Sequence, residues 1–470
     1  MSRQNRRKPI SLENIEIVNT ASKGKSVAKH EGRVIFVKGG VPGDICNITV
    51  FKKRKKYWEA NIDKITQKSI HRIEPECSHF GTCGGCKWQN MTYASQLQFK
   101  QDEVLNNLSK IGGVSITKFN EILGSKKELN YRNKMEFTFS NKRWLTKDEI
   151  QNENKIADKN ALGFHVPGMF DKVINLKKCY LQEEPSNTIR NSIREFALKN
   201  KLSFFDIRNQ EGLLRNLMIR TSRNNQLMVL VQFFYDDSKK IKLLMNFIKN
   251  TFNEITSLLY TINTKGNNTI YDQKIICFDG KDHITENIED LIFKIGPKSF
   301  FQTNSEQAEI LYKSARDLAD IKKEDIVYDL YTGTGTIAQF VAKDAKCVIG
   351  IDSVPEAIEA AKESVKFNKI KNCEFFSGDM KNLFTDEFIS QNGKPNLVIT
   401  DPPRDGMHKK VIEQLKRIKP KKIIYVSCNS ATQSRDISLL DDLYEITNMQ
   451  TVDMFPQTHH VENILILELR

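Results

Sequence analysis

The feature that most constrains this chain is a regular alternation of apolar runs and helical patterns in its last third. Helical segments separate five apolar runs, at Ile326–Leu330, Cys347–Ile351, Glu374–Phe376, Asn396–Thr400 and Lys422–Val426. Apolar strands that alternate with helices form a parallel sheet with helices on both faces. We therefore predict an α/β domain with a Rossmann-like sheet over residues 296–470.

Two more strand patterns, Tyr444–Asp453 and Val461–Leu469, end the chain and leave little room for a helix between them. An antiparallel closing hairpin of this kind distinguishes a class I methyltransferase-type sheet from a simple dinucleotide-binding sheet. In such a sheet the last strand lies antiparallel beside the fifth. We therefore expect the start of the last strand, at Glu462, to lie near the end of the fifth strand, at Cys428.

The size and charge of the chain limit the class of protein to which it can belong and the partners that it can bind. A length of 470 residues, with 39% hydrophobic and 28% charged residues, predicts a globular protein of two or three domains. The net charge of +14 favours nucleic acid as a partner, with an anionic membrane surface or solubility alone as the alternatives. No apolar stretch is long enough to span a membrane, and the basic N-terminus lacks the apolar segment of a secretory signal. We predict a cytoplasmic protein without a membrane partner, and no obligate protein partner is evident.

The first half of the chain has different patterns. Short strands separated by glycine turns, from about Ile10 to Thr66, predict a small OB-like β-barrel. The basic run Lys52–Trp58 ends in two aromatic residues, as single-stranded RNA binding requires, although a solvated hairpin tip is the alternative. Mixed patterns follow and predict an α+β module. The predicted divisions are residues 1–68 (basic tail and barrel), 69–128 (cysteine segment and helix), 129–295 (central RNA-binding module) and 296–470.

Candidate cofactor residues follow the first, second and fourth strands of the predicted sheet. Ligands of open α/β sheets bind at the carboxyl ends of the strands. Gly333 and Gly335 form a turn after the first strand, and Asp352 ends the second, where a carboxylate can bind ribose hydroxyls. NAD(P) and S-adenosylmethionine both fit these residues. The stiff Asp-Pro-Pro turn that begins at Asp401 resembles the turn of enzymes that methylate nucleic acid bases, and this resemblance favours S-adenosylmethionine.

Cys428 follows the fifth strand on the same edge of the predicted sheet. A thiol at this edge is a candidate nucleophile. The alternative is a structural role, because free cysteine is among the most buried residue types. Position alone leaves both interpretations open.

Six sequence motifs, spread over the second half of the chain, are more specific. They are Phe300–Asn304, Asp329–Gly335, Asp401–Arg404, Tyr425–Asn429, Asp453–Pro456 and His459–Glu462. With these motifs the chain resembles the RNA (uracil-5-)methyltransferase family over nearly its whole length. The resemblance is strongest to the branch that methylates 23S ribosomal RNA and carries an N-terminal TRAM barrel and a 4Fe-4S cluster.

The resemblance implies a role for individual residues. Cys428 would be the nucleophile, Glu462 the base, and Phe300 would lie against the target nucleotide. The residues implied to bind S-adenosylmethionine are Gln302, Tyr331, Asp352 and Asp401, with Gly333 and Gly335 in the turn. The chain departs from the family at Ser430, where proline is usual, and at Asp352, where glutamate is common. We expect the first change to loosen the loop behind the thiol and the second to shorten the reach to the ribose.

The chemistry explains why this reaction needs a thiol and a base on one edge. C5 of uracil is a poor nucleophile because the ring carbonyls withdraw its electron density. Addition of a thiolate at C6 converts the ring to an enolate, whose C5 can accept a methyl group. A base must then remove the C5 proton so that the thiolate can leave. No role is assigned to His459 or His460. Arg404, which follows the Asp401 turn, is a candidate contact for a phosphate or for the thiolate.

Three of the nine cysteines are clustered, at Cys77, Cys83 and Cys86, and Cys179 is a distant fourth candidate. An odd number of cysteines in a cytoplasmic chain argues against a disulfide framework. Three clustered thiols and one distant thiol favour a 4Fe-4S cluster, and the resemblance implies the same four ligands. Zinc is the runner-up, with His79 as a possible substitute ligand, and a redox C-x-x-C site is third. Because the methyl transfer needs no electrons, we expect a cluster to serve structure and RNA binding.

The sequence therefore predicts an enzyme of ribosomal RNA processing that methylates C5 of a uridine in 23S ribosomal RNA, in a single-stranded or refolded loop. RNA cytosine-5 methylation is one alternative, since it also uses a cysteine that adds to C6. A transfer RNA substrate is another. A non-catalytic RNA-binding factor of ribosome assembly is the alternative from a different class.

Overall fold

A computed structural model of the chain describes residues 10–114, 116, 118–151 and 158–470. It contains two compact units. The first comprises Met1–Glu103 and Phe455–His460, and the second comprises Val104–Met454 and Val461–Arg470. The predicted basic tail, residues 1–9, lies outside the described residues. Within the described ranges, no helix combines the length and apolarity needed to cross a membrane.

The first unit contains the predicted β-barrel, which is confirmed as a closed barrel of five strands in the order β1-β2-β3-β5-β4. The strands are β1 (Ile10–Ala21), β2 (Lys25–His30), β3 (Arg33–Lys38), β4 (Ile45–Lys53) and β5 (Tyr57–Gln67). Alternate residues of β4 point inward, so that Cys46, Ile48 and Val50 are buried in the barrel core. The sequence patterns missed β2, whose short length and two lysines weaken its alternation.

The basic run Lys52–Trp58 joins β4 to β5, as predicted. The indole of Trp58 packs between two cations: the Arg33 guanidinium lies 4.6 Å and the Lys53 ammonium 5.4 Å from the ring centroid. The residues from 70 to 92 form turns and bends around an isolated bridge. The helix α1 (Tyr93–Asn107) follows and continues into a π turn at Leu108–Gly112.

The second unit contains two seven-stranded sheets and a short hairpin. The first is the central sheet, a mixed sheet in the order β12-β11-β10-β9-β6-β7-β8. Its strands are β6 (Lys134–Ser140), β7 (Ala161–Val166), β8 (Met169–Asn175), β9 (Leu214–Thr221), β10 (Leu227–Phe233), β11 (Ser257–Ile262) and β12 (Ile275–Gly280). Its helices are α2 (Lys147–Gln151), α3 (Ser186–Lys199) and α4 (Ser238–Thr251), and the hairpin that follows consists of β13 (Ile284–Ile288) and β14 (Leu291–Ile295).

The second is the C-terminal sheet, in the order β17-β16-β15-β18-β19-β21-β20. Its strands are β15 (Ile326–Leu330), β16 (Cys347–Asp352), β17 (Cys373–Ser377), β18 (Leu397–Thr400), β19 (Lys422–Ser427), β20 (Tyr444–Val452) and β21 (Glu462–Leu469). Its helices are α5 (Ser305–Ala319), α6 (Thr336–Ala342), α7 (Pro355–Phe367), α8 (Met380–Leu383), α9 (Asp386–Asn392), α10 (Lys409–Ile418) and α11 (Ser430–Ser438). The first five strands are parallel, and β21 is antiparallel to β19, so the predicted methyltransferase topology is confirmed.

The buried residues of the C-terminal sheet explain why its strands were readable from the sequence. Helices cover both faces, and the strands β18 and β19 are buried along almost their whole length. Only the edge at the carboxyl ends of the parallel strands is left for polar side chains that act on a ligand.

Candidate active site

Cys428 and Glu462 meet at the edge of the C-terminal sheet because of the register between β19 and β21. Ser427, the last residue of β19, pairs with Asn463 near the start of β21. The next residue on each strand toward this edge is Cys428 on one and Glu462 on the other. The Gln433 side chain fixes this end of the pair, since its Nε2 donates to the Asn463 carbonyl (3.2 Å) and its Oε1 accepts from Asn463 Nδ2 (2.8 Å).

The Cys428 thiol is half-buried beside two carboxyl groups and one guanidinium. Burial raises the pKa of Cys428 to about 11, and the charges of Glu462 and Asp401 act in the same direction. The Arg404 side chain hydrogen-bonds to the thiol and acts in the opposite direction. The thiol is therefore protonated at neutral pH in the free protein, with one cation in place to favour the thiolate.

Glu462 and Asp401 form a pair of neighbouring carboxyl groups. Glu462 is only 5% exposed. Burial, followed by the charge of Asp401, holds the pKa of Glu462 well above its ordinary value, and burial also raises the pKa of Asp401. Two carboxylates this close do not both ionise readily, so the pair retains a proton at a pH at which isolated carboxyl groups would be charged. The buried Tyr312 of α5 lies close to the same pair, and its pKa is raised by burial and by their charges.

The loop that carries Cys428 is tied to the turn that follows Asp401. Asn429 Nδ2 donates to the Arg404 carbonyl (2.9 Å), and the Thr432 hydroxyl donates to the same oxygen (3.0 Å). Asn429 also caps α11, since its Oδ1 accepts from the Ala431 N–H (3.2 Å). Ser430 is the first residue of α11, and its hydroxyl accepts a hydrogen bond from Asn107 Nδ2 (2.8 Å). The serine that replaces the usual proline is therefore held by a side-chain contact.

The predicted cofactor turn lies between β15 and α6. Asp352 holds it through one carboxylate oxygen, since Oδ2 accepts from the Gly333 N–H (2.9 Å). Its other oxygen, Oδ1, accepts from the Val354 N–H (2.9 Å) in the segment that follows β16. Gly335 has a φ of +73°, and a Cβ at this position would lie 2.7 Å from the Phe375 ring. Only glycine fits here, because of the positive φ and because any Cβ would collide with this ring.

Sequence reasoning did not single out Asp329, although it lies inside the cofactor motif. Its side chain is fully buried, and Oδ2 accepts from the Thr332 hydroxyl (2.5 Å) and the Ala338 N–H (3.0 Å). Burial raises the pKa of Asp329 to about 7. The residue fastens the turn to the helix behind it. The sequence feature that could have identified Asp329 is an acidic residue within an apolar strand pattern.

The remaining predicted cofactor and substrate residues lie in two places. Tyr331 follows β15 with a φ of +65°, and burial raises its pKa to about 12. Phe300 is 73% exposed, whereas Gln302, two residues further along the chain, is half-buried. The backbone around Gln302 is held by Asn133, whose Nδ2 donates to the Gln302 carbonyl (2.9 Å). Phe300 thus projects from a segment that the central sheet anchors.

The segment with Cys77, Cys83 and Cys86 belongs to the first unit, and Cys179 belongs to the second. All four cysteine side chains are half-buried. Gln89 connects two of them, since its Oε1 accepts from the Cys77 N–H (3.3 Å) and its Nε2 donates to Cys86 Sγ (3.2 Å). Thiols that accept N–H hydrogen bonds suit an iron–sulfur or zinc site chemically. Across the described residues, however, no three His, Cys, Asp or Glu side chains are grouped so as to hold a metal ion.

Comparison with known proteins agrees with this geometry. The family model for tRNA (Uracil-5-)-methyltransferase matches residues 254–470. An uncharacterized RNA methyltransferase of Bacteroides thetaiotaomicron is 52% identical over 453 residues, which cover 96% of this chain and 100% of the relative. This chain belongs to the RNA (uracil-5-)methyltransferase family. The family uses S-adenosylmethionine as its methyl donor.

Two further members of this RNA methyltransferase group support the assignment. An uncharacterized RNA methyltransferase of Porphyromonas gingivalis is 48% identical and covers 96% of this chain and 99% of its own. Among solved structures, the tRNA (uracil-54, C5)-methyltransferase of Pyrococcus abyssi in complex with S-adenosyl-L-homocysteine matches with a TM-score of 0.73 and 27% identity. It covers 96% of this chain and 100% of its own. The similarity to this RNA (uracil-5-)methyltransferase therefore includes the barrel as well as the C-terminal sheet.

Proposed function

We propose that this protein methylates C5 of a uridine in 23S ribosomal RNA, with Cys428 as nucleophile and Glu462 as base. The observation that carries the proposal is the placement of a thiol and a buried carboxyl group on adjacent strand ends, with Arg404 hydrogen-bonded to the thiol. This is the pair of groups that addition at C6 and proton removal at C5 require.

In the proposed reaction the Cys428 sulfur bonds to C6 of uracil, and the electrons of the C5–C6 double bond move to form the enolate. S-adenosylmethionine, when bound, supplies a methyl group on a positively charged sulfur. C5 bonds to this methyl group as the methyl–sulfur bond breaks, whose electron pair would stay on the sulfur of the departing S-adenosylhomocysteine. Glu462 then removes the C5 proton. The electrons of the broken C5–H bond restore the double bond and expel the Cys428 thiolate.

The charges around Cys428 suit this order of events. The thiol gives its proton to solvent as the sulfur bonds to C6, and Arg404 favours the negative charge on the sulfur at that moment. Glu462 acts as the base in its ionised form, with the proton that the carboxyl pair retains on Asp401. The raised pKa of Glu462 then makes its carboxylate a stronger base than an ordinary glutamate.

S-adenosylmethionine would be held at the carboxyl ends of β15, β16 and β18. The turn with Gly333 and Gly335 would bring its backbone close to the cofactor, and a Cβ at Gly333 would face open space. Asp352 is in place for the ribose hydroxyls, and Asp401 lies between this turn and the catalytic pair. Gln302 and Tyr331 complete the proposed contacts.

The choice of RNA rests on resemblance and charge. The Arg33–Trp58–Lys53 arrangement on the barrel combines cations with a stacking surface, which suits a single-stranded segment of RNA. A transfer RNA substrate is the second candidate, because the family model and the archaeal structure both carry transfer RNA in their names.

Incubation of the full chain with S-adenosylmethionine carrying a labelled methyl group tests the proposal. The protein is offered 23S ribosomal RNA, 16S ribosomal RNA and bulk transfer RNA, and methylated bases are mapped at single-nucleotide resolution. We expect 5-methyluridine in 23S ribosomal RNA only. Methylation confined to transfer RNA would move the activity to the second candidate, and 5-methylcytidine without 5-methyluridine would refute the uracil chemistry. The absence of transfer to any RNA would favour a non-catalytic assembly factor.

We also propose, on the resemblance and the spacing of the thiols, that Cys77, Cys83, Cys86 and Cys179 bind a 4Fe-4S cluster. The donor atoms suit it, and the hydrogen bond from Gln89 to Cys86 is of the kind that thiolate ligands accept. No step of the methyl transfer passes through this group.

Iron and sulfide content after anaerobic purification tests the cluster. We expect about four iron atoms per chain, and loss of iron in Cys83→Ser and Cys179→Ser but not in Cys277→Ser, which changes an exposed cysteine of β12. Stoichiometric zinc without iron would favour the runner-up, and neither metal would refute a metal site.

A further inference from the structure

The central sheet contains a cavity on one face, over the strands β6, β9 and β10. Its volume is about 260 Å³, and it lies just below the range of pockets that hold drug-sized ligands. Met218 and Leu230 form an apolar floor, Asn216 and Gln232 close one end, and Tyr271 and Lys298 lie at the mouth. None of these residues takes part in the proposed methyl transfer.

Two amide side chains lie side by side at the closed end. In the register of the sheet, Asn216 on β9 pairs with Gln232 on β10, so both side chains project from the same face. Side chains of such a pair have Cβ atoms about 5 Å apart. The two amides therefore face a ligand together.

Each of these amides has an oxygen without a hydrogen-bond partner among the described residues. Gln232 is only 2% exposed, and its Nε2 donates to the Asn268 carbonyl (3.2 Å), which leaves Oε1 as the unpaired atom. Asn216 Nδ2 faces the Thr138 hydroxyl (3.4 Å), which leaves its Oδ1 unpaired in the same way. A buried acceptor without a donor is costly, and a ligand that supplies the donor removes that cost.

The walls of the cavity are fixed by two buried arginines of β9. Arg215 donates to the Asn268 side-chain oxygen (3.0 Å) in one wall and, in the segment just before that wall, to the carbonyls of Asn263 (2.7 Å), Lys265 (2.6 Å) and Asn267 (2.9 Å). Arg220 holds the other wall through the carbonyls of Gly296 (3.0 Å) and Ser299 (3.1 Å). The cavity is therefore a preformed site, whose walls need no ordering when a ligand enters.

The second wall continues into the residue that the proposed function places against the target uridine. Lys298 at the mouth and Phe300 are two residues apart, so their Cα atoms are at most about 7 Å apart. A nucleotide next to the target uridine in the same RNA strand can span this distance. The exposed ring of Tyr271 offers a stacking surface, and Lys298 brings a positive charge for a phosphate.

We propose that this cavity binds a nucleobase with an exocyclic amino group, from a nucleotide close to the target uridine in the substrate RNA. An amino group of adenine, cytosine or guanine donates two hydrogens, one for each unpaired amide oxygen. Uracil has a single N–H on its base-pairing edge and two carbonyl oxygens, which would face the amide oxygens unfavourably. The cavity thus selects the sequence next to the uridine. This inference rests on RNA being the substrate, as the proposed function states.

The Met218 methyl group on the floor of the cavity reports binding directly. The full chain, labelled with 13C at the methionine methyl groups, is titrated by NMR with AMP, UMP, hexaadenylate and hexauridylate, and the Met218 signal is assigned by Met218→Leu. We expect AMP and hexaadenylate to shift the Met218 signal and the two uridine ligands to leave it unchanged. A signal that moves with AMP but not with hexaadenylate would refute an RNA base as the ligand, and equal shifts by UMP would refute the amino-group preference.

Variants separate the cavity from the rest of the molecule. In Asn216→Leu we expect AMP to bind about fivefold to tenfold more weakly, and in Tyr271→Ala, which removes an exposed ring, the weakening is smaller. Asn246→Leu makes the same chemical change on the exposed side of α4 and should bind as the unaltered protein does. Unchanged affinity in both Asn216→Leu and Tyr271→Ala would overturn the proposal.

The two proposals can fail separately. Cys428→Ala should keep the Met218 shift with hexaadenylate while methyl transfer is lost. A Met218 shift in a protein that methylates no RNA would leave the cavity as a base-binding site and refute the enzyme function. Methyl transfer without any Met218 shift would refute the cavity alone.

Discussion

The two seven-stranded sheets of the second unit use polar residues in opposite ways. The C-terminal sheet is covered on both faces, so its polar groups lie at the ends of strands, where Cys428 and Glu462 meet. The central sheet leaves part of one face open, and polar groups such as Asn216 and Gln232 lie within its strands and project from that face. A fully covered parallel sheet has only its edge for chemistry, whereas a partly open mixed sheet can bind a ligand on its face.

The largest expected effect is on the edge of the C-terminal sheet. Cys428→Ala should lower methyl transfer by at least about 10³-fold, because no other group replaces the nucleophile. The measurement is labelled-methyl transfer to RNA, together with trapping of a covalent adduct by RNA that contains 5-fluorouridine. Cys277→Ala, the same change at an exposed cysteine of the central sheet, is the control and should keep both signals. An adduct that persists in Cys428→Ala would assign the nucleophile to another residue.

The second effect separates the two groups of the catalytic pair. Glu462→Gln should lower turnover by about 10²- to 10⁴-fold, because the C5 proton then has no base. Cys428 is intact in this variant, so the adduct with ordinary uridine RNA should accumulate and be visible as a protein–RNA band after denaturation. Rapid turnover without such a band would contradict the role of Glu462.

The third effect is on stability, and it compares the space around one glycine of the C-terminal sheet with the space around one glycine of the central sheet. Gly335→Ala should lower the free energy of unfolding by about 2–4 kcal/mol, since the residue has a positive φ and its new methyl group meets the Phe375 ring. Gly266→Ala, in the loop between β11 and β12 of the central sheet, meets no atom within 4 Å and should change stability by less than about 0.5 kcal/mol. Urea denaturation of both variants measures the difference, and equal stability would show that the turn relaxes.

The smallest effect is a pH dependence of stability. Asp329 has a pKa of about 7 in the folded protein, above the ordinary value of 3.8, so its contribution to stability is present at low pH and is lost as the pH rises toward 7. Asp329→Asn preserves both accepted hydrogen bonds without a charge. Relative to the unaltered protein, this variant should gain about 3 kcal/mol between pH 5 and pH 8.

Melting temperatures of the two proteins across this pH range test the last prediction. Asp401 and Glu462 titrate in the same direction in both proteins, so their own contributions largely cancel in the difference. The repulsion between Asp329 and Asp401, which raises the pKa of Asp329, is part of the measured effect. A constant difference between pH 5 and pH 8 would mean that Asp329 does not titrate in this range.

Much of the C-terminal sheet could be predicted from the sequence because its strands are continuous apolar runs. The expectation that Glu462 starts the strand beside Cys428 followed from the topology of the closing hairpin, and the register of β19 and β21 confirms that the two are neighbours. The barrel was also predictable, apart from β2. For Cys77, Cys83 and Cys86 the sequence gives spacing alone, and no regular secondary structure there converts spacing into geometry.

The sequence by itself therefore determined the parallel sheet, the position of a thiol and acidic groups at strand ends, and the family whose motifs it carries. Tertiary structure alone decided the shared titration of Asp401 and Glu462, the anchoring of Asp329 and the cavity of the central sheet. Apolar periodicity is a local property that a single segment displays. The burial of a carboxyl group, or the pairing of Asn216 with Gln232, depends on which strands become neighbours, and that is a property of the whole fold.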